Sequence, residues 1–381
     1  MYARSLATPD RSIFLFGPRG TGKSTWIGQR FPGVRTYDLL DTGEALRLTK
    51  EPQSLHAELV GLPVGSWAVI DEVQKVPALL DEVHRLIEGR RLRFVLSGSS
   101  ARKLRRGGSN LLAGRAVTMS MFPLTSFELS HDFDLSDVLC HGTLPMVFID
   151  AEPREYLRAY AETYLDQEIR AEALTRNLGA FTRFLEIAAR QNGQLTNATS
   201  IARDAGISRN TVQSHFEILV DTLIGFWLPP WKLKSATKQV QNRKFYLFDC
   251  GVVRALNGRL PYPPSPEELG ALLETFILHE LRAYLSYTRR HYALHFWRNY
   301  DGAEVDVLCE TSRGHVAMEI KASRRWDRRF HRGLRRVREE LGEQTRCYGI
   351  YLGERAALID DVHVLPVPEF LKKLWNQEVL V

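Results

Sequence analysis

The stretch Gly17-Pro-Arg-Gly-Thr-Gly-Lys-Ser24 decides how the first third of the chain is expected to fold. It follows an apolar run, IFLF at 13–16, and precedes a stretch with helical character, TWIGQRF at 25–31. Glycines in a strand-to-helix turn let backbone N–H groups face an anion, and the positive end of the helix adds to the attraction. Every fixed position of G-x-x-x-x-G-K-[ST] is filled, so the stretch predicts a phosphate-binding loop.

This loop predicts a site for ATP with Mg²⁺. Lys23 is expected to reach the β- and γ-phosphates, and the Ser24 hydroxyl to ligate the metal. The residues predicted to bind the nucleotide are Gly17, Pro18, Arg19, Gly20, Thr21, Gly22, Lys23, Ser24, Thr25, Asp71 and Ser97.

A second apolar run ends in two acids, WAVIDE at 67–72. Asp71 is predicted to hold the metal, and Glu72 to polarise the attacking water. The following run, RFVLSGSS at 93–100, ends in hydroxyls, and Ser97 or Ser99 is predicted to sense the γ-phosphate. The alternative is that these acids and serines are ordinary turn residues at strand ends.

Further short apolar runs predict an α/β layered sheet of parallel strands covered on both faces. The predicted strands are Ser12–Phe16, Val34–Asp38, Trp67–Asp71, Arg93–Ser97 and Ala116–Met121. From about Arg154 the pattern becomes helical, and a second α/β unit starts near Phe245. Three segments are therefore expected: 1–150, 151–244 and 245–381.

Composition is that of a soluble globular protein, with 44% hydrophobic and 25% charged residues among 381. We find no apolar run long enough to cross a bilayer and no secretory signal. The four cysteines are scattered singly, which fits a reducing cytoplasm and predicts neither a zinc site nor a disulfide framework. The net charge of +6 favours a polyanionic partner.

Residues 198–219 predict a helix, a tight turn at Gly206 and a second helix capped by Ser208. The exposed start of that second helix carries Arg209, Asn210 and Gln213, where a recognition helix contacts DNA. The basic stretch 229–244, with Lys232 and Lys234, is expected to be a loop or wing that follows a phosphate backbone. Docking of a protein is the alternative use of such a module.

The last segment carries a second set of acids. Glu274 lies in a stretch that predicts an amphipathic helix, Asp306 in one predicted strand, and Glu319 and Lys321 in the next. Residues two apart in a strand share a face, so Glu319 and Lys321 are expected to project together beside Asp306. Two carboxylates can hold Mg²⁺ or Mn²⁺, and a lysine can orient water. An exposed ion pair is the alternative.

Eight arginines follow between Arg324 and Arg338, with Trp326 and Phe330 among them. Such a run is often a solvated helix face, but its one-sided charge beside the acids favours phosphate contact. The arginines predicted to contact DNA are Arg324, Arg325, Arg328 and Arg329.

The nucleotide motifs and the later stretches resemble the AAA-type ATPases, and more narrowly a bacterial and archaeal group with a C-terminal domain of unknown function. The stretches that carry the likeness are 17–24, VIDEVQKVP at 69–77, LSGSS at 96–100, SNLLAGRA at 109–116, FPLTSFEL at 122–129, GTLPMVF at 142–148, YLDQEI at 164–169 and FYLFDCGVV at 245–253. The resemblance implies that Arg115 acts as an arginine finger in a neighbouring subunit and that the chain forms a homo-oligomer. An ordinary surface arginine is the alternative.

The order of helix glutamate, strand aspartate and Glu-x-Lys resembles the PD-(D/E)xK restriction-endonuclease superfamily. The likeness implies that Asp306, Glu319 and Lys321 are catalytic and that Glu274 is an auxiliary metal ligand. It departs from the pattern at Val305, where a proline precedes the aspartate in that superfamily. The expected function is an ATPase that engages DNA. The alternatives are a switch, a scaffold or a protein-remodelling ATPase with a silent nuclease-like fold.

Overall fold

The computed structural model describes residues 2–100, 112, 114–164, 177–232 and 242–381. The chain forms two compact units. The first contains residues 1–123 and 221–224, and the second contains residues 124–220 and 225–381.

The first unit is built on a five-stranded sheet in which every pair of neighbouring strands is parallel. The strand order is β2-β3-β4-β1-β5. Its strands are β1 (Ser12–Phe16), β2 (Arg35–Asp38), β3 (Trp67–Asp71), β4 (Arg93–Gly98) and β5 (Ala116–Ser120), and its helices are α1 (Lys23–Arg30), α2 (Thr42–Lys50), α3 (Gln53–Leu59) and α4 (Leu79–Arg90). The α/β sheet expected from the sequence is confirmed.

The central strands explain why this sheet forms and where its polar residues lie. All five side chains of β1 are buried, and so are those of β4 apart from Arg93, as expected for strands covered on both faces. Because the strands are parallel, the carboxyl ends of β1, β3 and β4 lie at one edge of the sheet. That edge carries the loop at 17–22 together with Asp71 and Ser97.

The second unit begins with short helices and contains the segment 124–150, which the sequence reading grouped with the first segment. Leu124 N donates to Thr143 O at 2.8 Å, and Ser126 N donates to Glu280 Oε1 at 2.6 Å. These contacts place the segment with the second unit, while the division at residues 150 and 244 stays a prediction. The helices here are α5 (Ser126–Leu129), α6 (Leu135–His141), α7 (Pro153–Ala159) and α8 (Leu178–Arg190), with 3-10 turns at Ser130–Asp132 and Pro145–Phe148 and a π turn at Tyr160–Tyr164. A further 3-10 turn, Val73–Lys75, follows β3 in the first unit.

A helix–turn–helix follows, as the sequence predicts. Helix α9 (Ala198–Ala205) ends at Gly206, whose φ of 66° is the left-handed conformation that glycine tolerates best. Helix α10 (Arg209–Asp221) begins after Ser208, whose Oγ accepts from Thr211 N at 3.1 Å. Strands β6 (Gly225–Leu228) and β7 (Lys244–Leu247) then pair antiparallel.

The rest of the second unit is a mixed six-stranded sheet in the order β12-β13-β11-β10-β9-β8. Its elements are α11 (Cys250–Leu256), α12 (Pro266–Tyr287), β8 (Leu294–Arg298), β9 (Glu304–Thr311), β10 (Gly314–Lys321), a 3-10 turn at Arg328–Phe330, α13 (His331–Leu341), β11 (Arg346–Tyr351), β12 (Ala357–Ile359), β13 (Val362–Pro366) and α14 (Val367–Trp375).

Helix α12 is not amphipathic, which corrects the sequence reading. Nearly every residue from Leu272 to Leu285 is buried, because α6, α11, α14 and β10 all pack against this helix. A helix whose residues are buried on all sides lies inside a fold. Glu274 therefore projects from a core helix and not from a solvated face.

Candidate functional site

The loop at 17–22 has the backbone of an anion cradle. Gly20 and Gly22 have φ values of 80° and 87°, which side chains disfavour. A Cβ on Gly17 would overlap the carbonyl oxygen of Met121. Helix α1 begins at Lys23 after Gly22, without a side-chain cap and without an acid in its first turn. A helix start without a side-chain cap or an acid suits the binding of an anion, as the predicted nucleotide site requires.

The side chains of the loop support the same use. Lys23 is 7% exposed, and its Nζ donates to Gly17 O at 2.7 Å and to Pro18 O at 3.2 Å. The ammonium therefore lies over the loop, where phosphate oxygens can replace the two carbonyls. Thr21 Oγ1 donates to Pro18 O at 2.8 Å and stiffens the turn. Arg19, Ser24 and Thr25 are exposed at the mouth of the loop.

Asp71 joins α1 to two neighbouring strands. Ser24 Oγ donates to Asp71 Oδ2 at 2.8 Å, and Ser97 Oγ donates to Asp71 Oδ1. The three oxygen-bearing side chains thus meet at the carboxyl edge of the sheet. Hydroxyl and carboxylate oxygens are the donor set that Mg²⁺ prefers, so Ser24 and Asp71 fit this metal. Ser97 bonds to Asp71 here, so its geometry is that of a group that orients this carboxylate.

Glu72 follows β3 in the left-handed conformation, with φ 58°. Gln74 Nε2 donates to the Glu72 carboxylate and lies 3.3 Å from Ser99 Oγ. Gln74 itself is buried against Gly98, where a Cβ would overlap its amide oxygen. The sequence analysis did not predict a role for Gln74. Its place two positions after Glu72 could have indicated that the two side chains interact.

Arg4 is a second residue that the sequence reading missed. It is 8% exposed, and its guanidinium donates to Thr21 O at 2.8 Å and to Phe122 O at 2.6 Å. The side chain thereby ties the phosphate loop to the segment that follows β5. A lone arginine ahead of the first strand carries no sequence signal of this role.

Arg115 lies at the other edge of the sheet from the loop. It directly precedes β5, where Ala116 pairs with Ser12 at the beginning of β1, whereas the loop follows the end of β1. A five-residue strand spans roughly 16 Å, so Arg115 is remote from its own chain's phosphate site. Its Nε bonds to Glu88 of α4.

The residues predicted to read DNA lie where expected on α10. Arg209, Asn210 and Gln213 are exposed at its beginning, while Val212, Phe216 and Leu219 are buried. Lys232 is exposed, and Lys234 lies outside the described residues.

The positive charge of the arginine run is partly offset by acidic side chains that pair with it. Arg324, Arg325, Arg328 and Arg329 are exposed. Arg329 pairs with Asp327 at 2.7 Å, and Arg328 and Arg335 lie 3.8 and 3.4 Å from Asp360. Trp326 packs against Gly349 and donates through Nε1 to His331 at 2.7 Å, so this ring serves packing. Asp327 within the run and Asp360 from a later part of the chain thus offset part of the basic charge.

The structure brings the predicted C-terminal triad together. Pairing of β9 with β10 extends as far as Val307 and Met318, and the triad lies just beyond it. Asp306 Oδ2 accepts from Ile320 N at 2.7 Å and from Lys321 Nζ at 3.3 Å. Lys321 Nζ also pairs with Glu319 Oε1 at 2.5 Å. The lysine therefore bridges the two carboxylates on one face of the sheet.

Glu274 joins this group through residues of β7. Tyr246 OH donates to Glu274 Oε2 at 2.8 Å, and Lys244 Nζ lies 3.9 Å from the same oxygen. Lys244 Nζ also pairs with Glu304 Oε1 at 2.5 Å, and the lysine is 6% exposed in this pairing. Sequence reasoning missed Lys244 as a site residue because its partners lie at distant positions in the chain. We call Glu274, Glu304, Asp306, Glu319, Lys244 and Lys321 the carboxylate cluster.

The carboxylate cluster contains four acids and two lysines. The pKa values of two of its acids, Glu319 and Glu274, are raised. Burial and then the Asp306 carboxylate raise the pKa of Glu319 well above its usual value. The same two causes raise the pKa of Glu274 to about 7. Glu319 Oε2 is buried and accepts no hydrogen bond from any described residue.

These observations fit a divalent cation at the Asp306–Glu319 pair. An added cation would satisfy the orphaned oxygen and relieve the repulsion between carboxylates. Within the described ranges, no three His, Cys, Asp or Glu side chains already surround a common point as metal ligands. Glu274 is therefore not part of a preformed three-carboxylate site.

None of the helices in the described part of the chain combines the length and the apolar character needed to cross a bilayer.

Three family models match successive parts of the chain. Residues 9–130 match an AAA domain, residues 132–262 a domain of unknown function (DUF8612), and residues 269–370 another domain of unknown function (DUF4143).

Two mycobacterial proteins are similar over most of the chain. They are the uncharacterised proteins Mb2031c of Mycobacterium bovis and Rv2008c of Mycobacterium tuberculosis. Each is 28% identical over 372 residues, which is 94% of this chain and 80% of the relative.

Similar solved structures include two proteins of Aeropyrum pernix. ORC1 in complex with DNA is 15% identical, with 66% of this chain and 87% of that chain covered and a TM-score of 0.26. ORC2 in its ADP form is 10% identical, with 68% and 89% covered and a TM-score of 0.30. Likenesses at these scores carry no argument about the fold or the function of this chain. The match of residues 9–130, together with the loop geometry, supports an AAA-type ATPase domain in the first unit.

Proposed function

We propose that the first unit binds ATP with Mg²⁺ and hydrolyses it. The observation that carries the proposal is the meeting of Ser24, Asp71 and Ser97 beside the uncapped start of α1. A phosphate cradle and a hard-oxygen metal pair thus share one edge of the sheet, which is the arrangement that phosphoryl transfer needs.

Positioning and charge account for most of the expected catalysis. Lys23 would exchange its two loop carbonyls for β- and γ-phosphate oxygens, and the N–H groups at the start of α1 would hold the same phosphates. Ser24 and Asp71 would hold Mg²⁺, which supplies neutralisation of the charge on the phosphates. Glu72 would accept a proton from the attacking water, and Gln74 fixes where that carboxylate points.

Nucleotide binding by purified protein tests the first half of this proposal. Lys23→Met is expected to weaken ATP binding by at least about a hundredfold, because it removes a charge-assisted contact to phosphate. Lys50→Met, at an exposed lysine that ends α2, is the matched control and should bind as the parent does. Parent-like affinity in Lys23→Met would refute the site.

Hydrolysis tests the second half. Glu72→Gln keeps the shape of the side chain but cannot accept the water proton, so ATP should still bind while turnover falls by about a hundredfold or more. Turnover that survives in Glu72→Gln would remove Glu72 from the mechanism.

We propose as a second activity that the second unit engages DNA and cleaves it with Mg²⁺ or Mn²⁺. The observation in favour is the buried, unpartnered Glu319 Oε2 beside Asp306. Asp306 and Glu319 would hold the cation, which lowers the pKa of bound water and neutralises charge on the phosphate. Lys321 would donate from Nζ to a phosphate oxygen or to the attacking water.

The proposed DNA contacts are supported by the exposure of the residues that would make them. The exposed Arg209, Asn210 and Gln213 of α10 form its proposed DNA contact, joined by Lys232 and by Arg324, Arg325, Arg328 and Arg329. The PD-(D/E)xK likeness, a winged-helix role for residues 151–244, and a cytoplasmic homo-oligomer belong to the same proposal.

Cleavage of single-stranded, duplex and branched DNA with Mg²⁺ or Mn²⁺, with and without ATP, tests this second activity. Glu319→Gln should abolish cleavage, whereas Glu310→Gln, an exposed glutamate of the neighbouring strand β9, should leave it unchanged. Absence of cleavage by the parent, with ATP hydrolysis intact, would refute the nuclease and favour a switch, scaffold or protein-remodelling ATPase.

A further inference from the structure

Lys244 occupies an unusual position for a lysine. Its side chain is 6% exposed, and its ammonium lies between Glu304 Oε1 at 2.5 Å and Glu274 Oε2 at 3.9 Å. The ring of Phe296 lies 5.5 Å from the same nitrogen. Burying an ammonium is costly unless nearby negative charges compensate it. The carboxylates of Glu274 and Glu304 therefore hold Lys244 inside the fold.

The backbone of Lys244 is equally well fixed. It begins β7, where it pairs with Leu228 of β6, and it also bridges to Leu195. Tyr246, two residues further on, reaches Glu274 from the same strand. Strand β7 thus supplies both a positive charge and a hydrogen-bond donor to the carboxylate cluster.

A cation at the Asp306–Glu319 pair would lie within electrostatic range of the Lys244 ammonium, whose charge interacts with the Asp306 carboxylate. Glu274 is the link, since it lies beside Lys244 and its carboxylate also interacts electrostatically with Asp306 and Lys321. A divalent ion and an ammonium repel each other, and the negative charges of Asp306 and Glu274 attract both of them. Because this coupling is reciprocal, a bound cation would also weaken the interaction of Lys244 with its carboxylate partners.

We propose that Lys244 is a built-in counter-cation of the carboxylate cluster, with which a divalent metal ion must compete. Strand β7, and with it the β6–β7 pair that follows the helix–turn–helix, thereby regulates metal binding in the second unit. This inference rests on the proposed metal site at Asp306 and Glu319.

The test is Mn²⁺ binding to the full chain without nucleotide, measured by calorimetry and by electron paramagnetic resonance. Binding at the carboxylate cluster is the part lost in Glu319→Gln. Lys244→Gln is expected to bind Mn²⁺ at this site at least about tenfold more tightly than the parent, because a repelling charge is gone. Lys372→Gln, at an exposed lysine of α14, should match the parent.

The outcomes separate this inference from the metal site itself. Equal or weaker Mn²⁺ binding by Lys244→Gln, with the Glu319-dependent site present in the parent, overturns the role of Lys244 alone. No Glu319-dependent binding in either protein overturns the metal site and the inference together.

A measurement on the parent covers the case in which Lys244→Gln does not fold. Amide hydrogen exchange of Lys244–Leu247 should become faster when Mn²⁺ is added, because the cation loosens the anchoring of β7. Unchanged or slower exchange, at a Mn²⁺ concentration that fills the Glu319-dependent site, contradicts the competition.

Discussion

At the scale of single residues, the Gln74 amide restrains the carboxylate of Glu72. Glu72 is held in a left-handed backbone conformation, and its carboxylate accepts a hydrogen bond from Gln74 Nε2. Gln74 is buried, so the amide has little freedom to move away. The carboxylate that would receive the water proton is therefore fixed before the substrate arrives.

Replacement of Gln74 by methionine should slow ATP hydrolysis without weakening ATP binding. Methionine fills a similar volume but cannot hold the Glu72 carboxylate, so kcat is expected to fall by about tenfold. Steady-state kinetics and direct ATP binding measure the two quantities separately. Gln53→Met, at an exposed glutamine of α3, is the matched control. Unchanged kcat would show that Glu72 is positioned by other contacts.

At the scale of secondary-structure elements, α10 is held by a histidine that the fold keeps neutral. His215 is buried between the rings of Phe181 and Phe184, with centroid distances of 4.7 and 5.0 Å. Its Nδ1 has no hydrogen-bond partner among the described residues. Burial lowers the pKa of His215 from 6.5 to about 4.

The parent should therefore lose stability through His215 as the pH falls below about 6.5, because the unfolded chain takes up the proton first. Between pH 7 and pH 5 the loss is on the order of 2 kcal/mol relative to His215→Leu, which has no such proton. Denaturant unfolding of both proteins across this range measures the difference. His131→Leu, at an exposed histidine, should follow the parent. A constant gap between the parent and His215→Leu would contradict the prediction.

Substitution of Arg209, the first residue of α10, tests whether this helix binds DNA. Arg209→Glu is expected to weaken duplex DNA binding by about tenfold or more at low salt, because a phosphate contact becomes a repulsion. An acid suits a helix N-terminus, so folding should be preserved. Arg190→Glu, at the exposed end of α8, is the control, and fluorescence anisotropy is the measurement. Equal binding by both variants would favour a protein-docking role.

At the scale of the whole molecule, the place of Arg115 bears on assembly. It lies at the edge of the sheet away from the phosphate loop of its own chain, so any action on a nucleotide would be on that of another copy. Hydrolysis per mole of protein should then rise with concentration and be at least about tenfold lower in Arg115→Ala. Arg90→Ala, at the exposed end of α4, is the control for charge loss.

Mixing separates this role from a structural one. Arg115→Ala keeps its nucleotide site and Lys23→Met keeps its arginine, so a mixture of the two variants should regain part of the activity that each lacks. A mixture as inactive as its components would argue against the sharing of sites.

Local sequence patterns correctly predicted several strands and helices of this chain. Strands β1 and β3 have the predicted bounds, because buried parallel strands are continuous apolar runs. Helices α9 and α10 follow from Gly206 and Ser208. By contrast, Arg4 and Lys244 acquire their roles through partners far away in the chain, which no local pattern encodes. The predicted amphipathicity of α12 failed for the same reason.

Arg4 has a consequence for the mechanics of the nucleotide site. It lies seventeen positions before Thr21, yet it bonds to that residue's carbonyl and to that of Phe122. A chain shortened to begin at β1 would keep every residue of the glycine motif. Without the hydrogen bonds of Arg4, its phosphate loop would be more flexible. The rigidity of the cradle is thus encoded outside the motif by which the cradle is recognised.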